Sequence, residues 1–218
     1  MQTFKESGRE ETAAALIPQN PTIKKLQAAA RDCRACLLWK TGTQTIFGKG
    51  SRHAKVVLVG EQPGNDEDLA GKPFVGPAGK LLDKALIEAG INRDEAYVTN
   101  VVKHFKWEPK GKRRIHKKPN AREIAACRPW LNAELAALKP KVLVALGATA
   151  AQALLGKKFL VSKRRGELIE SSLAENVLAT VHPSSILRAP DDKTRRAEMK
   201  KFIADLKKVA RAIHGLRQ

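Results

Sequence analysis

The sequence predicts an α/β fold in three layers, with a mostly parallel central sheet flanked by helices. Two observations carry that prediction. Lys55-Val-Val-Leu-Val59 and Lys141–Leu146 are continuous apolar runs with no polar alternation, as expected of parallel strands covered on both faces. Between such runs lie stretches whose apolar residues recur at helical spacing, and this alternation of patterns is that of a parallel α/β protein. Size agrees: 218 residues, 43% hydrophobic, are enough for one such domain with a substantial core.

The elements follow in order. Residues 1–20 are polar without a periodic face and read as an N-terminal tail. Residues 21–218 read as a single domain, with no internal repeat and no dividing linker. Pro21 can start a helix through Ile23, Leu26 and Ala30 to Asp32. Residues 41–54, rich in Gly, Thr and Ser, read as loop. Lys55–Gly60 is the first strand. It empties into Gly60–Gly79, GEQPGNDEDLAGKPFVGPAG, a loop too long and too acidic for a plain connection. Leu81, Leu82, Ala85, Leu86 and Ala89 then mark a helix that starts near Pro77 and stops at Gly90. Ala96–Val102 is a second strand, and 103–119 is a strongly basic loop. Asn120 caps a helix to about Leu138, with Glu123 completing a capping box. Lys141–Leu146 is a strand and Gly147–Leu155 a short helix. Glu167–Ile169 and Asn176–Val181 are further strands, and His182–Arg188 follows the last of them. The final helix, Asp192–Ile213, carries an apolar stripe of Met199, Phe202, Ile203, Leu206, Val209 and Ile213.

Three loops, 60–79, 103–119 and 182–190, leave strand C-termini. In an open α/β sheet those ends share one edge, where a binding crevice forms. The glycine loop is not a phosphate-binding P-loop: Gly71-Lys72 and Gly79-Lys80 lack the following Ser or Thr. Lys and Arg number 41 against 22 Asp and Glu, a net charge of +19, which points to a polyanionic partner, nucleic acid first. No apolar run approaches the ~20 residues of a membrane span. No signal-peptide core is evident, so an intracellular protein is expected. Three cysteines argue against a secreted disulfide framework. Cys33-x-x-Cys36 reads as a ligand pair or as a redox pair, Cys127 as a third ligand thiol or a core residue, and His104 as a candidate fourth ligand. That set suits zinc or an iron–sulfur cluster, and spacing does not choose between them. In the basic loop, His116 lies among Lys112, Arg113, Arg114, Lys117 and Lys118. It reads either as one more phosphate contact or as an imidazole kept neutral by permanent cations, and so a competent nucleophile or base.

Taken together, Gly60-Glu-Gln-Pro-Gly64, Gly71-Lys-Pro-Phe-Val-Gly-Pro-Ala-Gly79, Thr99-Asn-Val-Val-Lys103 and His182-Pro-Ser-Ser185 resemble the motifs of iron–sulfur (family 4) uracil-DNA glycosylases. The likeness runs over about residues 21–213. Gln62, where ordinary members usually carry Ala, and the Lys112-Arg-Arg-Ile-His116 loop resemble the UdgX branch, whose members excise uracil and become covalently linked to DNA through the loop histidine. The resemblance implies a [4Fe–4S] cluster on Cys33, Cys36, His104 and Cys127. Asn65 departs from the acidic residue common in relatives, and Asp68 is the substitute considered for it.

On this reading the nucleotide is flipped into the crevice. Phe74 stacks on the base, Asn100 reads the uracil amide edge, and Gly60 and Ser184 complete the base site. His182 donates to the developing uracil anion. Glu61 stabilises the sugar cation, with Gln62 positioning the reacting group. His116 replaces the attacking water, and Lys112, Arg113, Arg114 and Arg188 hold DNA. The expected partner is uracil-containing, single-stranded DNA. The protein is expected to be a cytoplasmic, nucleoid-associated monomer. An ordinary hydrolytic glycosylase and a non-catalytic iron–sulfur DNA-binding module are the rival readings.

Overall fold

The computed structural model describes residues 12–215. Most of the expected tail, residues 1–11, lies outside that range. Ala13–Leu16, a short 3-10 turn capped by Thr12, buries Ala13 in the core rather than fraying.

The central sheet has six strands: β1 (Lys49–Gly50), β2 (Val56–Gly60), β3 (Ala96–Asn100), β6 (Val142–Leu146), β7 (Leu168–Ser171) and β8 (Ala174–Thr180), in spatial order β1-β3-β2-β6-β8-β7. β3, β2, β6 and β8 run parallel, and the two edge strands are antiparallel. The parallel strands are buried throughout, apart from the first three residues of β8, which explains their unbroken apolar runs. Their side chains alternate between two helical layers. Val57 and Val59 join Leu26, Trp130, Leu131 and Ala150 on one side. These come from α1 (Ile23–Ala30), α4 (Ala121–Leu138) and α5 (Ala148–Leu155). Val56 and Leu58 pack with Leu82, Leu86, Phe202 and Leu206 on the other, from α3 (Pro77–Glu88) and α8 (Asp192–His214).

The chain adds elements where only loop was expected. Asn65–Ala70 is a short helix, α2, inside the 60–79 segment. Its first turn is acidic, as suits the positive end of a helix, and that acidity explains why it reads as loop. The basic loop contains a hairpin, β4 (Trp107–Lys110) and β5 (Arg113–His116), joined by the two-residue turn Gly111-Lys112 with Gly111 at φ +58. Charged residues on both faces leave no apolar alternation to signal it. Val161–Arg164 is α6, and Pro183–Leu187 is the short helix α7 after β8.

The end of β3 rests on a buried ion pair. Lys103 and Glu134 have side chains 1% and 0% exposed, with Nζ and Oε2 2.5 Å apart. Glu134 also accepts from the Tyr97 hydroxyl at 2.8 Å, the Thr99 hydroxyl at 3.0 Å and the Gly48 N–H. Lys103 Nζ donates to the Asn100 carbonyl at 2.8 Å. Every charge is met, so breaking the pair is far costlier than replacing both members. Lys103→Met alone is expected to cost about 3–5 kcal/mol. Lys103→Met with Glu134→Leu is expected to recover most of that loss in a chemical-denaturation series.

Candidate active site

The C-terminal ends of β2, β3, β6 and β8 open into one cleft of about 600 Å3, lined by Glu61, Gln62, Phe74, Asn100, His116, Thr149, His182, Ser184 and Arg188, among others. The three loops expected to meet do meet. A fourth segment, Gly147–Thr149 at the β6–α5 turn, also lines the cleft. In sequence it is only a helix start, so nothing marks it in advance.

Gly60 ends β2 where the walls close in. A Cβ there would lie 2.4 Å from Asn100 Oδ1 and 2.8 Å from the Phe74 ring. Only glycine lets the flat ring and the amide approach each other across this floor. Phe74 takes a left-handed backbone, φ +55, and its ring faces that of His182 at 6.2 Å and 30°. Glu67, to which the sequence assigns no role, braces the segment: its carboxylate accepts from Gly64 N–H at 3.0 Å and Gly76 N–H at 2.9 Å.

His182 caps α7. Its Nδ1 accepts from the Ser184 N–H at 3.2 Å and is 2.8 Å from the Ser184 hydroxyl. An amide N–H can only donate, so Nδ1 carries the lone pair and Nε2 the proton. Burial, with Arg188 and His116 adding to it, pushes the imidazole down to about 4. His182 is therefore neutral at neutral pH with Nε2–H free to donate, and Ser184, which also lines the cleft, is bonded to its ring.

Glu61 stands between two partners. The Thr149 hydroxyl donates to Oε2, and His116 Nε2 lies 3.6 Å from Oε1, close but beyond a direct hydrogen bond. The half-exposed His116 ring has its pKa lowered chiefly by burial, with Glu61 opposing and Arg188 assisting. The direction is the one expected, but burial rather than the loop's own cations is its main source.

Gln62 lines the cleft, yet its amide is engaged elsewhere. Nε2 donates to the carbonyls of Lys106 at 3.1 Å and Lys117 at 3.0 Å, and Oε1 accepts from Lys106 N–H at 3.3 Å. Those residues are the stem of the hairpin, and Lys117 N–H bonds Lys106 O between them. Gln62 thus positions the hairpin, and with it His116, through the backbone of the stem. Arg114 departs from expectation. Its guanidinium turns inward to Asp68 Oδ2 at 2.7 Å and Asn65 Oδ1 at 2.8 Å, and lies over Phe105 and Trp107. Asp68 is fully buried and also bonds Thr43, so it anchors the hairpin and is no acid of the cleft. Lys112, Arg113 and Arg188 are exposed and free to meet a phosphate chain. Leu187, 38% exposed and next in the chain to Arg188, is an exposed apolar group that the sequence pattern does not single out.

The cysteines lie away from the cleft. Cys33 and Cys127 are buried and Cys36 half-buried. Burial raises the Cys127 thiol to about 12, Lys103 lowers it, and Cys36 and Cys33 raise it further, so the three sulfurs share one neighbourhood. Trp130 Nε1–H donates to Cys33 Sγ at 3.3 Å and Lys103 N–H to Cys127 Sγ at 3.2 Å. His104 Nε2 is 3.0 Å from the Thr45 hydroxyl, which itself donates to the Arg31 carbonyl. Nε2 must then be the N–H, leaving the Nδ1 lone pair for a metal, with a neighbour holding the other nitrogen as metal-binding histidines require. The donor chemistry fits an iron–sulfur group. Among the described residues no group of three or more His, Cys, Asp or Glu stands in position to hold a metal ion.

Comparison with known proteins adds an independent finding. The profile of the Uracil DNA glycosylase superfamily matches residues 47–207. A Type-4 uracil-DNA glycosylase of Thermotoga maritima is 41% identical over 167 residues, 76% of this chain and 83% of that protein. The Type-4 enzyme of Archaeoglobus fulgidus is 39% identical over 72% of this chain and 79% of its own length. That of Pyrobaculum aerophilum is 35% identical over 84% and 91%.

The clamp on the hairpin stem is directly testable. Gln62→Ala removes three hydrogen bonds and is expected to cost about 1–3 kcal/mol. Amide exchange at Lys106 should quicken about tenfold while the β2 and β6 amides keep their protection.

Proposed function

The chain belongs to the uracil DNA glycosylase superfamily, and from that premise we propose that it excises uracil from DNA and then becomes linked to the abasic site through His116. The observation that supports the second half is the placing of a neutral imidazole beside Glu61 inside the cleft. A hydrolytic glycosylase needs only a water there.

The +19 chain draws in the DNA backbone, with Lys112, Arg113 and Arg188 as phosphate contacts. Single-stranded DNA is the proposed substrate, because flipping a base costs least when nothing pairs with it. Leu187 is suited to fill the gap the base leaves. Phe74 stacks on uracil and Asn100 pairs with its amide edge, over the space left open by Gly60. As the C1′–N1 bond breaks, its electron pair leaves with uracil, and His182 Nε2–H donates to the base anion. That donor is in place before reaction, and a group of this kind contributes about 10²–10³ in rate. Glu61 stabilises the positive sugar. A ring nitrogen of His116 then gives its lone pair to C1′. The imidazolium so formed loses its remaining ring proton, with Glu61 the carboxylate in reach, and the neutral adduct has no easy leaving group.

Cys33, Cys36, His104 and Cys127 would hold the [4Fe–4S] cluster that the resemblance implies. Its part would be structural, tying the segment around Cys33 to α4 outside the cleft. We further propose that the protein acts as a monomer in the cytoplasm.

Incubation with a uracil-containing single strand, followed by denaturing electrophoresis, tests the proposal. A heat-stable shifted band is expected, whereas free abasic DNA alone would leave the hydrolytic reading. His116→Ala should abolish the band and retain DNA binding. Because the His116 pKa is lowered, the reactive neutral ring persists below the ordinary value near 6.5. Adduct formation should therefore persist below about pH 6.5 and fall only as the pH drops through the lowered value.

A further inference from the structure

We propose that Thr149 is a positioning residue: its hydroxyl fixes the carboxylate of Glu61 so that the opposite oxygen faces the imidazole of His116. The inference rests on the roles proposed for Glu61 and His116 and adds a residue that no motif marks.

Four observations converge. Thr149 is buried, 5% exposed, and its one hydroxyl proton is directed at Glu61 Oε2. That bond leaves Oε1 as the oxygen toward His116, 3.6 Å from Nε2. The start of α5 is itself fixed. Gly147 N–H donates to the Thr180 carbonyl at 2.8 Å, and a Cβ on Gly147 would lie 3.1 Å from His182 Cβ. So Thr149 is held in register with β8, the strand that leads to His182. Thr149 also lies in the first turn of α5, where unpaired backbone N–H groups favour a nearby anion.

The physical consequence is orientation. A Glu side chain has three rotatable bonds, and one oxygen held by a buried hydroxyl leaves the carboxylate little freedom. Without that bond Glu61 can swing away from His116 and from the sugar, and its pair of acceptor oxygens is no longer divided between two partners. A hydrogen bond to a charged group contributes enough to change a rate by about 10- to 100-fold.

The test uses the full chain and a uracil-containing single-stranded oligonucleotide under single-turnover conditions. Thr149→Val keeps the shape and removes the hydroxyl, and Thr149→Ala serves as a second deletion. Both are expected to slow adduct formation about 10- to 100-fold, with the half-saturating DNA concentration unchanged. Thr149→Ser should restore the rate to within about threefold. A rate within about twofold of the parent in either deletion variant would overturn the proposal, as would a Ser variant as slow as Val. If the parent protein releases uracil without forming an adduct, the linking reading fails, and the same comparison on uracil release decides the role of Thr149.

Discussion

One side-chain amide sets the architecture of the site. Gln62, the second residue after β2, grips both strands of the basic hairpin at its stem. Each of those bonds is modest by itself, but they are buried together, and a buried amide left without partners costs more than the bonds return. The hairpin therefore has one economical seat. In that seat β5 delivers His116 to the cleft edge beside Glu61, the immediate chain neighbour of Gln62. Asp68 and Asn65 secure the same hairpin through Arg114. The 60–79 segment thus both carries the acidic group of the cleft and docks the loop that brings the imidazole to it.

The charged groups divide by burial. Lys112, Arg113 and Arg188 remain at the surface, where a phosphate chain can exchange with counterions. Arg114, Lys103 and Glu134 are turned inward and hold backbone and side chains in place. His182 is kept neutral by burial and fixed in one tautomer by the turn that follows it. In the proposed reaction the two imidazoles thereby differ in what they can do. His182 is a donor that does not need to ionise, and His116 offers a lone pair that is not already protonated.

Much of this is legible in the sequence. The four parallel strands and the long helices stand out because burial on two faces, or on one helical stripe, dictates residue choice directly. The cleft follows from topology, since strand C-termini share an edge. The hairpin is hidden because Lys110 to His116 carries charge on both faces and its stability comes from Gln62, 44 and 55 residues away. The inward turn of Arg114 is hidden for a similar reason: one charged run can face DNA or a buried Asp68, and only packing decides. Gln62 stands out as unusual, but its partners are backbone atoms, which leave no residue signature. Thr149 sits in a Gly-Ala-Thr helix start with no chemical mark at all.

The most direct measurement of the central claim is chemical mapping of the linked product. Protein incubated with a uracil-containing oligonucleotide is digested with protease and nuclease, and the surviving peptides are sequenced by mass spectrometry. The account predicts a deoxyribose remnant, without uracil, on the imidazole of His116. A remnant on any other residue, or abasic DNA with every peptide unmodified, would contradict it.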